Sequence, residues 1–481
     1  MKKIIKASFP FKNRYIFIYT LLAIVFIISA FILPTVTPTG LSLIEKNNIV
    51  ASNNLSFAGI RQGAVVNFPY HAIQKLSIHF FGFNNYAFKL PTILFAIFTG
   101  VFIILLLNRH FKNSVAVISS IMSLFSVAIL FVSGNASPLI MYPFWMSLFV
   151  WAGSKLINQK KPSLILASFF VLSLIFSLYT PYMLYCVILI LGAGLSRPHI
   201  RFAFKKMRIS KMFICFCLLI ASLAPLLYFT YINPDTRQAL LIGSLTQPLA
   251  FLHNLNTAFS HIISLDKHPE GIYLSPLFNI TVLIIAIIGL FRLIKRFSTG
   301  HSLVVFCLLC FSILAIGLDP DCLAAIFVPI IILTGYGLSA IVESWYSYFP
   351  HNPYAHAFAI APLAILSLTI IVSNFSFFIA GYRYAPATAT QFDDDHTLIV
   401  AHAKPHDILV VPAKRPARDF YSLLAKKQQL LILNQAPKDK LASQQVLVLP
   451  EAGAIPKLNF NLKRILTSAK ATNSAKLYIY E

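Results

Sequence analysis

The stretch YIFIYTLLAIVFIISAFILPTVTPTGLSLIEKNN, residues 15–48, joins a long apolar run to a polar segment that carries one acid, Glu45. Residues 15–34 suffice to cross ~30 Å of hydrocarbon as a helix, the form in which a chain satisfies its own backbone inside lipid. The run is too long for a signal-peptide core and lacks a small-residue cleavage site, so it reads as an uncleaved first span. Glu45 lies shortly beyond it and is the only acidic residue before Asp235.

Working outward, the apolar pattern repeats. The chain of 481 residues is 58% hydrophobic and 11% charged, with a mean hydropathy of +0.76. That balance belongs to a polytopic membrane protein. Apolar stretches at 15–34, 90–107, 114–133, 139–154, 163–178, 181–195, 212–232, 273–291, 301–318, 323–342 and 357–381 predict an all-α membrane domain of about eleven transmembrane helices. Lys and Arg concentrate on alternate segments, most densely in RPHIRFAFKKMRISK at 197–211. By the positive-inside rule those segments are cytoplasmic. The amino terminus then lies inside, the carboxyl-terminal segment outside, and the protein is multi-pass in the plasma membrane. The net charge is +24, but nearly half of the basic residues are spent on topology and anionic headgroups, so nucleic acid is not an expected partner.

Two domains are predicted: 1–389, a membrane core with long outer loops at 35–89 and 233–272, and 390–481, a small extracytoplasmic α/β domain. In the first loop, Tyr70, Ile73, Leu76 and Phe80 recur at helical spacing opposite His71, Gln74 and Lys75, which predicts a helix lying along the interface. In the tail, the short apolar runs DILVV, LLIL and VLVL alternate with basic, helix-compatible stretches. Its DDDH at 393–396 reads as a solvated helix start in preference to a site for a hard divalent cation. All six cysteines lie in or beside apolar spans, so no disulfide framework is implied.

The acids before residue 390 are Glu45, Asp235, Asp266, Glu270, Asp319, Asp321 and Glu343. All but Glu343 fall in predicted outer loops, and none falls in the middle of a span. An ion-coupled transporter usually keeps ionisable groups at membrane depth, which speaks against that class. A loop acid is ordinarily solvated or caps a helix. Glu45, with apolar and amide neighbours, is the candidate for a base that takes a proton from a hydroxyl or amine.

The first loop resembles that of the GT-C fold glycosyltransferases, particularly the protein O-mannosyltransferase and aminoarabinose-transferase branch. Those enzymes carry a Gly-Leu-x-x-Asp-Glu element after the first span. A Pro-starting amphipathic helix follows, then Phe/Leu-Gly-x-Asn-x-x-Ala-x-Arg-Leu-Pro-Ser. Here stand GLSLIE (Gly40 to Glu45) and FGFNNYAFKLPT (Phe81 to Thr92), with a weaker echo in TGYGL at 334–338. The resemblance implies transfer of a sugar from a polyprenyl-phosphate carrier to a glycan, lipid or protein acceptor at the outer face, with membrane lipids as surroundings. It maps the family's Glu to Glu45 and its Asp to Ile44. The usual Arg before Leu-Pro is Lys89, and the short loop before the fourth span, GNASP, offers Asn135 and Ser137 where an acid is common. Asp266 is the candidate second carboxylate. Arg237, Lys267, His268, Lys89 and Arg61 are candidates to hold the departing phosphate, and a divalent cation is left open. A catalytically degenerate binding or assembly protein, and a lipid or solute transporter, are the competing classes.

Overall fold

A computed structural model describes residues 14–36, 40–55, 65–157, 159, 163–205, 209–242, 248–263, 276–297, 299–384, 391–413, 416–434, 445–449, 461–467 and 476–480. Helix α1, Arg14–Val36, is followed by a two-residue strand β1, Leu41–Ser42, and by α2, Leu43–Asn53. The loop helix α3, Phe68–Phe81, leads into α4, Asn85–His110. Then come α5 (Asn113–Leu124), α6 (Val127–Gly134), α7 (Met141–Ile157), α8 (Leu164–Ser177), α9 (Met183–Ser196), the short basic α10 (Pro198–Lys205) and α11 (Ile209–Ile232). After a single turn at Pro234–Arg237 the membrane domain closes with α12 (Pro248–Ile263), α13 (Ile280–Lys295), α14 (Gly300–Leu318), α15 (Phe327–Tyr348) and α16 (Pro353–Tyr384).

Each predicted apolar stretch contains a helix among the described residues. Among the described residues six helices are long and apolar enough to cross a membrane, or seven if a bent pair counts as one span. That is fewer than the predicted eleven, since α7, α8, α9 and α13 run only 17, 14, 14 and 16 residues. The bent pair is α5 and α6, which turn by 52° within what reads in sequence as one span. A serine and an asparagine explain the break. Ser126 caps α6 by accepting from Ile129 N–H, and Asn374 of α16 donates to the freed Phe125 carbonyl at 2.9 Å. A polar side chain thus replaces the lost helical hydrogen bond inside the apolar core.

The outward faces stay apolar: Ile16, Phe17, Leu21 and Ile28 of α1, Phe213 and Phe216 of α11, and Ile365, Leu368 and Val372 of α16 are all exposed. In water such a belt would aggregate, whereas lipid makes it an ordinary surface. Inside, α13 and α15 approach closely because a Cβ on Gly289 would lie 1.9 Å from the Leu333 carbonyl oxygen, and one on Gly337 1.9 Å from that of Ile285. The TGYGL stretch therefore holds a helix crossing, as small residues commonly do in membranes.

The loop helix α3 forms where its periodicity predicts, but its faces are partly reversed. His71 and Gln74 are buried, while Leu76, Phe80 and Phe81 are exposed. Ser52 of α2 accounts for this: its Oγ lies 2.7 Å from His71 Nδ1 and 2.5 Å from Gln74 Oε1, so the polar groups satisfy one another inside.

The tail opens with β2, Phe392–Asp393, then α17, Asp395–His402; β3, Ile408–Val410; α18, Arg418–Gln428; β4, Leu431–Leu433; β5, Val446–Val448; β6, Leu462–Thr467; and β7, Lys476–Tyr480. Strands β3 to β7 make one mixed sheet in the order β4-β3-β5-β7-β6, parallel from β4 through β5 and antiparallel beyond. The three apolar runs supply β3, β4 and β5, as predicted. The tail's core is continuous with the first loop, however: Phe420, Leu424, Leu447 and Ile479 pack in one cluster with Leu41, Ile49, Phe83, Phe88 and Ala136.

Strand β2 pairs antiparallel with β1, Leu41 facing Asp393 and Ser42 facing Phe392. Gly40 permits this pairing, since a Cβ there would sit 2.3 Å from the Asp393 carbonyl oxygen. Gly40→Val is therefore expected to weaken tail docking by about 1–3 kcal/mol, as overpacking does in a rigid site. Limited proteolysis should then cut the tail several-fold faster, while the membrane domain still accumulates.

Candidate functional site

Glu45 occupies the third position of α2. Ser42 N–H donates to its Oε2 at 2.7 Å, and Glu45 N–H donates back to Ser42 Oγ at 3.2 Å, a reciprocal helix cap. The Ser-x-x-Glu spacing of SLIE announces this cap. The same carboxylate also reaches across the chain, for Ala136 N–H donates to its Oε1 at 2.5 Å. One turn along α2, Asn48 Nδ2 donates to the Ala136 carbonyl at 3.4 Å. Glu45 and Asn48 thus hold the N–H and the carbonyl of one residue, Ala136, in the GNASP loop. The loop that carries an acid in the resembling family here supplies a backbone donor. Glu45 is 1% exposed.

Around this carboxylate stand residues from two further elements. Lys89, in the first turns of α4, is buried, and its Nζ donates to the Pro34 carbonyl at 3.4 Å. The charges acting on it come from Glu45 and Asp394. From the tail come Asp394, Asp395 and His396, at 5%, 2% and 1% exposure. The solvated helix start read from DDDH is therefore incorrect. Pairing of β2 with β1 carries these side chains inward, where other polar groups meet Asp393, Asp395 and one ring nitrogen of His396. Lys46 Nζ donates to Asp393 Oδ1 at 2.5 Å and to Tyr421 OH at 2.8 Å, and Tyr421 OH donates to Asp395 Oδ2 at 3.2 Å. Lys46 also lies over the Tyr421 and Phe420 rings. His396 Nε2 is 2.6 Å from Asn85 Oδ1, while its Nδ1 has no hydrogen-bond partner among the described residues.

Of the residues singled out from sequence, Glu45 and Lys89 meet in this cluster. Arg237 lies exposed on the turn Pro234–Arg237, with no hydrogen bond to the cluster among the described residues. Arg61, Asp266, Lys267 and His268 lie outside the described residues. Lys46, Asp394, Asp395, His396 and Tyr421 join the site unanticipated. No group of three or more His, Cys, Asp or Glu side chains able to hold a metal ion occurs among the described residues.

No family model matches the sequence, and no curated protein matches it. Solved structures do. The crystal structure of ArnT from Cupriavidus metallidurans bound to undecaprenyl phosphate aligns over 97% of this chain and 98% of its own, with a TM-score of 0.54 and 9% identity. The same protein in the apo state gives 0.51 and 10% over 98% of both chains. The likeness runs the full length of both molecules, and the chain has the GT-C-type fold of an integral membrane protein.

Burial sets a pH response. Desolvation, then the charges of Lys46 and Lys89, push His396 down to about 3, and desolvation pushes His71 down to about 4. Both are neutral in the fold but bind protons in the unfolded chain below about pH 6.5. Their contribution is whole above that pH and is lost as pH falls toward 4, by roughly 1 kcal/mol per unit for each group. Tail protection from protease is expected to fade between pH 6 and 4, and His396→Gln to flatten that dependence.

Proposed function

We propose that this chain is a membrane glycosyltransferase that moves a sugar from a polyprenyl-phosphate carrier to a glycan, lipid or protein acceptor at the membrane face bearing Glu45. The observation that carries the reading is the buried carboxylate of GLSLIE, fixed by backbone donors from two segments beside a buried lysine, in a fold shared with ArnT along its whole length. That neighbour was crystallised with undecaprenyl phosphate, and a polyprenyl phosphate already contains the leaving group the reaction needs.

The chemistry follows from the residues. The acceptor's hydroxyl or amine attacks the anomeric carbon, the bond from that carbon to the phosphate oxygen breaks, and its electron pair leaves with the polyprenyl phosphate. Glu45 receives the acceptor's proton. A carboxylate has about four acceptor directions, and two are taken by Ser42 and Ala136, so an oxygen lone pair remains for this step. Fixing the carboxylate beforehand spares its reorientation during reaction. Lys89 balances the local negative charge, with Arg61, Arg237, Lys267 and His268 as further candidates to meet the departing phosphate. Asp266 is the partner acid suggested by sequence. Asp394 and Asp395 are the ones the fold supports, because the tail carries them to the Glu45 and Lys89 cluster while position 44 holds isoleucine. We place the tail on the same outer face, with the amino terminus in the cytoplasm.

One observation favours a second reading, a degenerate relative acting in binding or assembly. Glu45 has a complete structural job as a helix cap and loop clamp.

Mass spectrometry of surface polymers and lipids separates the two. In the enzyme reading, cells with the intact chain carry a product heavier by one sugar. Glu45→Gln is expected to reduce that product by about 10²–10⁴-fold, the usual share of a general base, while the tail stays protected from protease. Unchanged product in Glu45→Gln refutes the base, and full restoration of a deletion phenotype by Glu45→Ala establishes the degenerate reading.

A further inference from the structure

At the end of the helices opposite Glu45 lies a second feature that sugar transfer does not use. Lys89 and His110 mark the two ends of α4, separated by about 30 Å of helix at ~1.5 Å per residue. Beside His110 the ends of α4, α7, α9, α14 and α15 enclose a cavity of about 410 Å³, within the ~300–1,000 Å³ of known ligand pockets. Its wall is apolar over most of its extent, with Phe149, Val150, Ile190 and Val304 as examples, and Ile200 of the basic helix α10 adds to the lining.

The polar groups of the wall include His110, Ser154 and His301. His110 Nε2 is 3.2 Å from His301 Nδ1, and Arg109 donates to the Ser154 carbonyl at 3.1 Å. Arg197, which leads into α10, donates to the Phe297 carbonyl at 3.4 Å. Lys155 stands near the end of α7, Arg201 on α10, and Lys295 and Arg296 at the end of α13, which leads into α14. Among the described residues the acid at this end is Glu343, which is engaged by Arg292 and lies 4.0 Å from Arg296. Basic side chains therefore outnumber acids around the helix ends that flank this apolar interior.

We propose that this cavity holds one acyl chain of an anionic phospholipid, with the lipid phosphate at the rim beside Arg109 and the His110–His301 pair. Basic pockets between membrane helices select anionic headgroups in this manner. A donor polyprenyl phosphate is the poorer fit, since its phosphate must reach the Glu45 end. The site is separate from sugar transfer, and only its preference over a polyprenyl phosphate rests on that reading.

The test is lipid retention by the purified full-length chain, read by native mass spectrometry and by melting temperature in phosphatidylglycerol or phosphatidylcholine nanodiscs. One phosphatidylglycerol per chain is expected to survive detergent exchange, and phosphatidylglycerol to raise the melting temperature by several degrees over phosphatidylcholine. Val150→Trp, which fills the cavity, should lower retention at least tenfold. Arg109→Gln with His301→Gln, both at exposed positions, should keep the bound chain but bring the preference between the two lipids near unity. If Val150→Trp does not fold, the rim pair decides alone. The proposal is overturned by equal retention of both lipids in the unaltered chain, by an unchanged preference in the rim pair, or by displacement of phosphatidylglycerol by equimolar undecaprenyl phosphate.

Discussion

The arrangement at the site depends on one carboxylate with two backbone partners far apart in sequence. Ser42 is its neighbour, and Ala136 lies beyond two membrane helices. Burying an ionised group is expensive unless donors replace its water. Backbone N–H groups are well suited to that task because they are already fixed by the helices around them. Once Glu45 is held, Lys46 is necessarily placed one residue on, and it meets Asp393, Tyr421 and the aromatic rings of the tail. The β1–β2 pairing at Gly40 completes the junction. A short polar motif thus organises loop, span and tail together.

Much of the membrane domain was legible from composition because lipid imposes a simple rule, that backbone polarity be satisfied within each helix. The less legible parts are those where polar side chains turn inward. Ser126 and Asn374 break an apolar run that reads as continuous, since a capping serine and an amide on α16 stand in for a missing helical bond. His71 and Gln74 look like the outer face of an amphipathic helix, yet with lipid outside the apolar face belongs there. Periodicity reports two faces without saying which medium each meets.

The site was half legible. Glu45 and Lys89 stand out by scarcity and by their place in the family-like elements, and SLIE contains a cap signal in plain sight. The Asp394–His396 segment is different in kind. Nothing local in DDDH distinguishes a solvated turn from a buried one. Its burial is decided by pairing with Leu41 and Ser42, and by Lys46 and Tyr421 at great sequence distance, which no local pattern encodes.

That distance has a temporal meaning. Lys46 and Asp393 are 347 positions apart, so at synthesis rates of ~5–20 residues per second the lysine emerges roughly 20–70 s before its partner. Over that interval the remaining spans enter the bilayer beside a polar seam that is still unsealed. A ribosome that stalls before residue 393 leaves this seam open, with Lys46 lacking Asp393 and Tyr421.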